Sequence, residues 1–251
     1  MSKIKFIVGV ILSSLIIFYL VFLFFHPKKQ DPIADPKYVG AVLPHDVLAK
    51  SLVDDFLSRL NYIPEKIYLI GPNHFEVGNS VIITDKNSET NNLLNFDFIK
   101  SNNEIIAKEH SITVFQNILL NKYPQVKIIP LIISANTSLS NMDSLVDYFS
   151  KNNTDTTLFI CSVDFSHYKS LTEANIFDQQ TLDFIKQKKY SKIYKLNNDN
   201  IDSPKSLIIF LKTLDRIGKN KLTVLNHSNS AVINDDVTSS STTGHFELAF
   251  E

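Results

Sequence analysis

Four short polar motifs, each following an apolar run, contain a histidine. They are Pro44-His45-Asp46, Gly71-Pro72-Asn73-His74, Glu109-His110-Ser111 and Asp164-Phe165-Ser166-His167. The chain has seven histidines in all, so four in such settings are a concentrated signal. Ligands of open α/β sheets bind at the carboxyl ends of the strands. We therefore predict that these motifs assemble one pocket, which holds a metal ion or performs acid–base chemistry.

The residue types in these motifs suit a borderline divalent metal. Neutral imidazole together with a carboxylate binds Fe(II), Zn(II) or Cu(II), and two or three such ligands leave coordination positions open for catalysis. His110 differs from the others because it opens a helix, where it can orient substrate or transfer protons without binding metal. The alternative is that each histidine only caps loop backbone groups. Four histidines in such similar settings favour one shared site over four separate caps.

The N-terminal region predicts a membrane anchor. Residues 6–25 are twenty consecutive uncharged, mostly apolar residues, long enough to cross roughly 30 Å of hydrocarbon as a helix. No Ala-x-Ala cleavage pattern follows, so we predict a retained single-pass anchor over residues 1–29 and a proline-containing tether over residues 30–37. Lysines flank the run on both sides, so the positive-inside rule hardly discriminates between the two orientations of the anchor. The very short N-terminal tail favours an extracytoplasmic main domain.

Composition and missing motifs exclude several classes of function. Four of the 25 basic residues precede residue 30, which leaves 21 basic against 26 acidic residues and argues against nucleic-acid binding. The six scattered glycines form neither a P-loop nor a dinucleotide fingerprint. A Gly-x-Ser-x-Gly elbow and the His-Glu-x-x-His motifs are also absent. Cys161, the single cysteine, excludes an internal disulfide and is predicted to be a buried strand residue rather than a nucleophile.

Strand-like and helix-like patterns alternate along residues 38–251. This predicts a single α/β domain with a largely parallel mixed sheet flanked by helices. The predicted strands are 39–43, 66–70, 81–84, 126–133, 157–163, 222–226 and 246–250. The predicted helices are 48–60, 112–119, 142–149, 171–186 and 204–217. Pro130 interrupts one strand pattern and predicts an edge strand or a bulge there.

Taken together, the motifs resemble the Memo family, known in bacteria and archaea as AmmeMemoRadiSam system protein B. The resemblance extends from residue 38 almost to the end of the chain. The matching elements are Gly40-x3-Pro44-His45, Ile70-Gly71-Pro72-Asn73-His74, Glu109-His110-Ser111, Ile129-Pro130-Leu131-Ile132 and Ser162-x-Asp164-Phe165-Ser166-His167-Tyr168. The Gly-Pro-x-His and Ser-x-Asp-Phe-Ser-His-Tyr elements are the specific ones.

The resemblance implies a fold like that of the class III extradiol, non-haem-iron dioxygenases. It also implies that His45 and His74 line a metal site, with His110, His167 and Asp164 nearby. Members of the family are associated with iron or copper and with redox chemistry. In animals they are associated with phosphotyrosine-containing signalling partners.

This chain departs from the family pattern at several positions. Asp46 follows the first histidine, where the family commonly has Ala-Gly, and Thr113 replaces an acid. Residues 197–203 stand in place of a Cys-Gly element before the late helix. Ile233 or a neighbour occupies the position at which animal members have a metal-site cysteine. The third metal ligand is therefore open; besides His167, the candidates are Asp164, Asp235 and Asp236.

We predict that His45, His74 and His167 bind a divalent metal, iron, with copper or zinc as alternatives. Asp164 would orient one imidazole, and His110 would serve in acid–base catalysis or contact the substrate. The predicted function is metal-dependent, dioxygenase-like oxidation. A binding module for a peptide or a small anion and a metal-dependent hydrolase are the alternatives. His227 and His245, near the closing strands, are not expected to reach the site.

Overall fold

The computed structural model describes residues 36–75 and 81–251. The predicted anchor, residues 1–29, and nearly all of the predicted tether lie outside these residues. Within the described part of the chain, no helix has the length and apolarity needed to cross a membrane. Residues 37–251 form one compact structural unit.

Within residues 36–75 and 81–251, nine strands form the mixed sheet at the centre of this unit. The strands are β1 (Gly40–Leu43), β2 (Lys66–Pro72), β3 (Ile82–Thr84), β4 (Ile99–Ser101), β5 (Lys127–Ile133), β6 (Thr157–Ser162), β7 (His167–Lys169), β8 (Leu222–Asn229) and β9 (Thr242–Phe250). Their order is β4-β3-β5-β2-β6-β1-β9-β7, and β8 also pairs with β9. The four inner strands β5, β2, β6 and β1 are parallel to one another. Their carboxyl ends therefore meet at one edge.

Helices cover both faces of the sheet. They are α1 (Lys50–Ser58), α2 (Asn103–Ile106), α3 (His110–Lys122), α4 (Leu139–Lys151), α5 (Leu171–Lys186), α6 (Tyr190–Ile193), α7 (Pro204–Arg216) and α8 (Ser230–Ile233). Two hydrophobic cores result, because successive residues of a strand point to opposite faces. One core joins the sheet to α4, α5 and α7, and the other joins it to α1 and α3.

The alternation is clear along β6. Phe159 and Cys161 pack in the first core, whereas Leu158 and Ile160 pack in the second. All four side chains are fully buried. The predicted buried position of Cys161 is thereby confirmed, and burial raises the pKa of its thiol.

The predicted α/β class, with a mixed sheet flanked by helices, is confirmed. The prediction of an edge strand or bulge at Pro130 is wrong, since β5 lies between β2 and β3 and pairs in regular register with β2. Proline is accommodated because β3 pairs only with Leu131 and Ile132. The carbonyl of Pro130 instead accepts a hydrogen bond from the Thr84 hydroxyl at 2.6 Å. The closing strands β8 and β9 are longer than predicted, and β4 and β7 were not predicted.

Candidate metal centre

A pocket of about 540 Å³ lies at the carboxyl edge of the parallel strands. β1 ends just before His45, β2 just before His74 and β6 just before Asp164, so adjacent strands deliver their following residues to the same place. All five site residues predicted from the sequence line this pocket: His45, His74, His110, Asp164 and His167. The tertiary structure therefore brings together segments more than 100 residues apart.

His45 is the buried residue at the base of the pocket, only 2% exposed. Its Nδ1 lies 3.2 Å from the Ser162 hydroxyl, which donates its proton to the carbonyl of Ser111 at 2.6 Å. The hydroxyl must therefore accept from His45, which places the imidazole proton on Nδ1 and leaves a lone pair on Nε2. Burial, followed by the neighbouring His74 and His110, lowers the pKa of His45 well below its ordinary value, so the ring is neutral.

His74 is held in the same way by Glu109, the N-cap residue of α3. One carboxylate oxygen accepts from Nδ1 of His74 at 2.7 Å and the other from its backbone N–H at 3.0 Å. The Ser111 N–H also donates to this carboxylate, at 3.1 Å. Burial alone would raise the pKa of Glu109, but the hydrogen bonds from His74 and Ser111 outweigh it and lower the pKa to about 2. The ionised Glu109 thus fixes the proton of His74 on Nδ1.

Gly71 allows α3 to approach β2 closely enough for this contact. A Cβ at position 71 would lie 2.7 Å from the Ser111 hydroxyl oxygen. That separation is below ordinary van der Waals contact, so any larger side chain would push the start of α3 away from the pocket. The glycine of the Gly-Pro-Asn-His motif therefore has a packing role.

His110, the first residue of α3, stacks on His74. The ring centroids are 4.2 Å apart with an interplanar angle of 26°, and the centroid of His45 lies 4.9 Å from that of His110. Nδ1 of His110 lies 3.4 Å from Glu109 Oε1. Burial and the adjacent His74 lower the pKa of His110. One ligand atom from each of His45, His74 and His110 lies within 4.8 Å of the others, as metal binding requires.

Two buried carboxyl groups face His45 from the other side. Oδ2 of Asp164 lies 3.4 Å and Oδ2 of Asp202 lies 3.2 Å from Nε2 of His45. Asp164 also accepts the backbone N–H of His45 at 3.1 Å. Burial raises the pKa of Asp164, and burial together with the nearby Asp164 carboxyl raises that of Asp202 well above its ordinary value. These three residues form a second group with metal-ligand spacing.

His167 lines the pocket from β7 but belongs to neither group of ligand spacing. Burial lowers its pKa, and its buried Nδ1 has no hydrogen-bond partner among the described residues. Its predicted role as the third ligand stays a prediction. The alternative ligands Asp235 and Asp236 are exposed and do not line the pocket.

Several residues of the site were not predicted. Glu109 and Ser162 lie inside the motifs that the sequence singled out, so their positions beside His110 and Asp164 were a usable signal. Asp202 lies in residues 197–203, which showed only a departure from the family pattern. His245 is fully buried beside the pocket and its Nε2 lies 3.1 Å from Asp46 Oδ2. His227 instead pairs with Asp178 at 2.8 Å.

The donors present fit a divalent metal ion. Metal-bound histidine must be neutral, and burial favours the neutral form of His45 and His110. Ligating imidazoles also donate their other ring proton to a carboxylate or another acceptor, as His45 does to Ser162 and His74 does to Glu109. The group formed by the buried His45 and the more exposed His74 and His110 therefore has the composition of a metal site, and His45 and His74 have the proton positions that such a site requires.

The fold and the site together define an α/β protein with a histidine-rich candidate metal centre at the carboxyl edge of its parallel strands. The chain belongs to the Memo-like protein family, whose model matches residues 31–246. The resemblance to the Memo family inferred from the motifs is thereby confirmed. A search of the curated proteins finds no match.

Proposed function

We propose that the chain is a metal-dependent redox protein of the AmmeMemoRadiSam protein B type, with chemistry like that of the class III extradiol dioxygenases. One observation carries the proposal. His45, His74 and His110 meet in one pocket, and the Nδ1 atoms of His45 and His74 hydrogen-bond to Ser162 and Glu109. The Nε2 lone pairs of these two rings are thereby left available to a metal ion.

The ligands we propose are His45, His74 and His110, because these three have mutual ligand spacing. His167, expected as the third ligand, then takes the acid–base or substrate-contact role that the sequence suggested for His110. Its ring faces the same pocket and is kept neutral by burial. Asp164 positions His45 by accepting its backbone N–H. Nδ1 of His45 donates its proton to the Ser162 hydroxyl, and Nδ1 of His74 donates to the Glu109 carboxylate.

Iron is the metal that we propose, because neutral imidazoles suit it and the family resemblance points to redox chemistry. Bound by three histidines, Fe(II) would keep coordination positions open and would supply one-electron chemistry with dioxygen. The protein's own part is to hold the imidazoles neutral and oriented and to exclude bulk water from His45. Copper and zinc remain alternatives for the same donors.

A binding function without turnover is the second candidate, favoured by the composition of the outer pocket wall. Asn197, Asn198 and Lys205 line it, and Nζ of Lys205 lies 3.7 Å from the centroid of the Tyr194 ring. Amides, an ammonium group and an aromatic ring suit a peptide or a small anion. Zinc at the histidines, activating water for hydrolysis, is a further alternative.

We also propose that residues 1–29 anchor the chain in a membrane as a single helix, with the main domain outside the cytoplasm. The support is the uncharged run at residues 6–25. Cysteine labelling tests this orientation. A cysteine introduced into the lysine-rich N-terminal tail should be shielded from an impermeant reagent in intact cells, and one introduced in an exposed loop of the main domain should react.

Elemental analysis of the full-length chain, purified anaerobically in mild detergent, tests the metal site. We expect near-stoichiometric iron, copper or zinc in the parent and none in the His45→Ala/His74→Ala variant. Oxygen consumption by the iron-loaded chain then separates redox chemistry from binding alone. Absence of metal from the parent even after reconstitution would refute the proposed site, and ligand binding that survives chelation would favour the binding module.

A further inference from the structure

Asp202 is a buried carboxyl group that neither the sequence nor the proposed histidine ligands explain. Its side chain is only 6% exposed, and Oδ1 has no hydrogen-bond partner among the described residues. Oδ2 accepts the Asp164 N–H at 3.2 Å, and the Asp202 N–H in turn donates to the Asp164 carbonyl at 3.1 Å. The two acidic residues are thus fixed side by side.

No lysine or arginine that the structure describes forms an ion pair with either of these carboxyl groups. Among the described residues, the only ion-pair partner of either carboxyl is His45, at 3.4 Å from Asp164 and 3.2 Å from Asp202. Nδ1 of His45 donates to Ser162, so the nitrogen that faces the carboxyls is the lone-pair atom Nε2. Three electron-pair donors therefore converge where burial makes an uncompensated charge costly. A cation between them resolves this conflict.

We propose that Asp164, Asp202 and Nε2 of His45 form a second cation position, which takes a hard divalent ion such as Mn(II). Carboxylate-rich sites prefer manganese or magnesium, whereas imidazole-rich sites prefer zinc, copper or iron. This inference rests in part on the proposed function, because His45 belongs to both positions. Nε2 binds one ion at a time, so the two positions compete and the identity of the ion decides which of them uses His45.

Manganese titration of the metal-free, full-length chain tests the proposal, with the paramagnetic resonance signal of free Mn(II) as the readout. Asp202→Asn removes the charge with little change of shape and should weaken Mn(II) binding about 10-fold or more. Asp199→Asn is the matched control, since Asp199 is half exposed and pairs with Lys169. It should bind Mn(II) as the parent does.

Zinc binding by the same variants separates the two positions. His74→Ala should lose zinc affinity and keep Mn(II) affinity, whereas Asp202→Asn should do the reverse. Zinc should displace Mn(II) from the parent. Unchanged Mn(II) affinity in Asp202→Asn would overturn the inference, as would equal loss of both ions in both variants, which would mean one shared centre. If zinc binding survives His74→Ala while Asp202→Asn loses Mn(II), the histidine site fails and the carboxylate position stands.

Two further measurements test whether Asp202→Asn merely disrupts the fold, and whether a proton rather than a metal ion lies between the carboxyl groups of Asp164 and Asp202. Nitrogen couplings in the spectrum of Mn(II) bound to the parent should show one imidazole ligand; two or more would overturn the proposal. Circular dichroism and the melting temperature of the metal-free Asp202→Asn variant should match or exceed those of the parent. A lower melting temperature with intact Mn(II) affinity would show that Asp202 is a proton-carrying structural residue.

Discussion

Replacing Glu109 by glutamine should weaken both the fold and the candidate metal centre. The carboxylate is fully buried and accepts from Nδ1 and the backbone N–H of His74 and from the N–H of Ser111. A glutamine amide has one acceptor oxygen, so its NH₂ group would face at least one of these donors. A lone buried donor is costly to leave unpaired.

The size of the effect follows from the pKa of Glu109, which is lowered from its ordinary value of 4.5 to about 2. At about 1.4 kcal/mol for each pKa unit, the ionised carboxylate stabilises the folded state by about 3 kcal/mol. Because the folded pKa lies below the unfolded one, this contribution is complete above about pH 4.5. It is lost as the pH falls from there toward 2.

Urea unfolding of the metal-free chain, followed by circular dichroism, measures this effect. Glu109→Gln should lower the free energy of unfolding by about 3 kcal/mol at pH 7, and the gap to the parent should narrow steadily below pH 4.5. Metal affinity should fall about 10- to 100-fold, because His74 loses the partner that holds its proton on Nδ1. The exposed Glu104→Gln should behave as the parent within about 0.5 kcal/mol.

Two results would refute this reasoning. The first is a Glu109→Gln variant as stable as the parent at pH 7, which would mean that the hydrogen bonds around the carboxylate contribute nothing net. The second is a stability gap of the same size at pH 3 as at pH 7, which would place its origin in packing rather than in the ionised carboxylate.

Three other substitutions or probes test further parts of the structure. Burial and the neighbouring Asp55 raise the pKa of Glu247 to about 8, so the parent should lose stability as the pH rises from 4.5 to 8. Glu247→Gln should remove that loss and raise the melting temperature at pH 9 but not at pH 5; equal melting temperatures at pH 9 would contradict it. Ser162→Ala removes the acceptor of His45 Nδ1 and should weaken metal binding about 10-fold, measured by zinc titration; unchanged affinity would show that another group sets the proton position. Cys161, fully buried, should react with a thiol reagent only after denaturation, and rapid labelling of the native chain would disprove its place in the core.

Local periodicity carries much information about the fold. The inner strands β1, β2, β5 and β6 were predictable because each is a short apolar run, and α1 and α3 because their apolar residues recur at helical spacing. Sheet neighbours were not predictable in this way. The placement of Pro130 in an inner strand depends on which short strand pairs beside it, and that pairing joins residues far apart in the chain.

The sequence by itself determined the chemical types at the site: His45, His74, His110, Asp164 and His167 were all identified from motifs. All of them except His110, which opens a helix, follow a predicted strand. Parallel strands end at a common edge, so the convergence of these residues was a sound expectation.

Only the tertiary structure decided which atoms face one another. The proton positions on His45 and His74 depend on Ser162 and Glu109, whose contacts cross between segments. Asp202 carried no sequence signal, since an acid in a polar segment is ordinarily solvated. It is buried against His45 because the Asp202 N–H donates to the Asp164 carbonyl and the Asp164 N–H donates to Oδ2 of Asp202. Such contacts form only when distant segments pack, and local sequence cannot encode them.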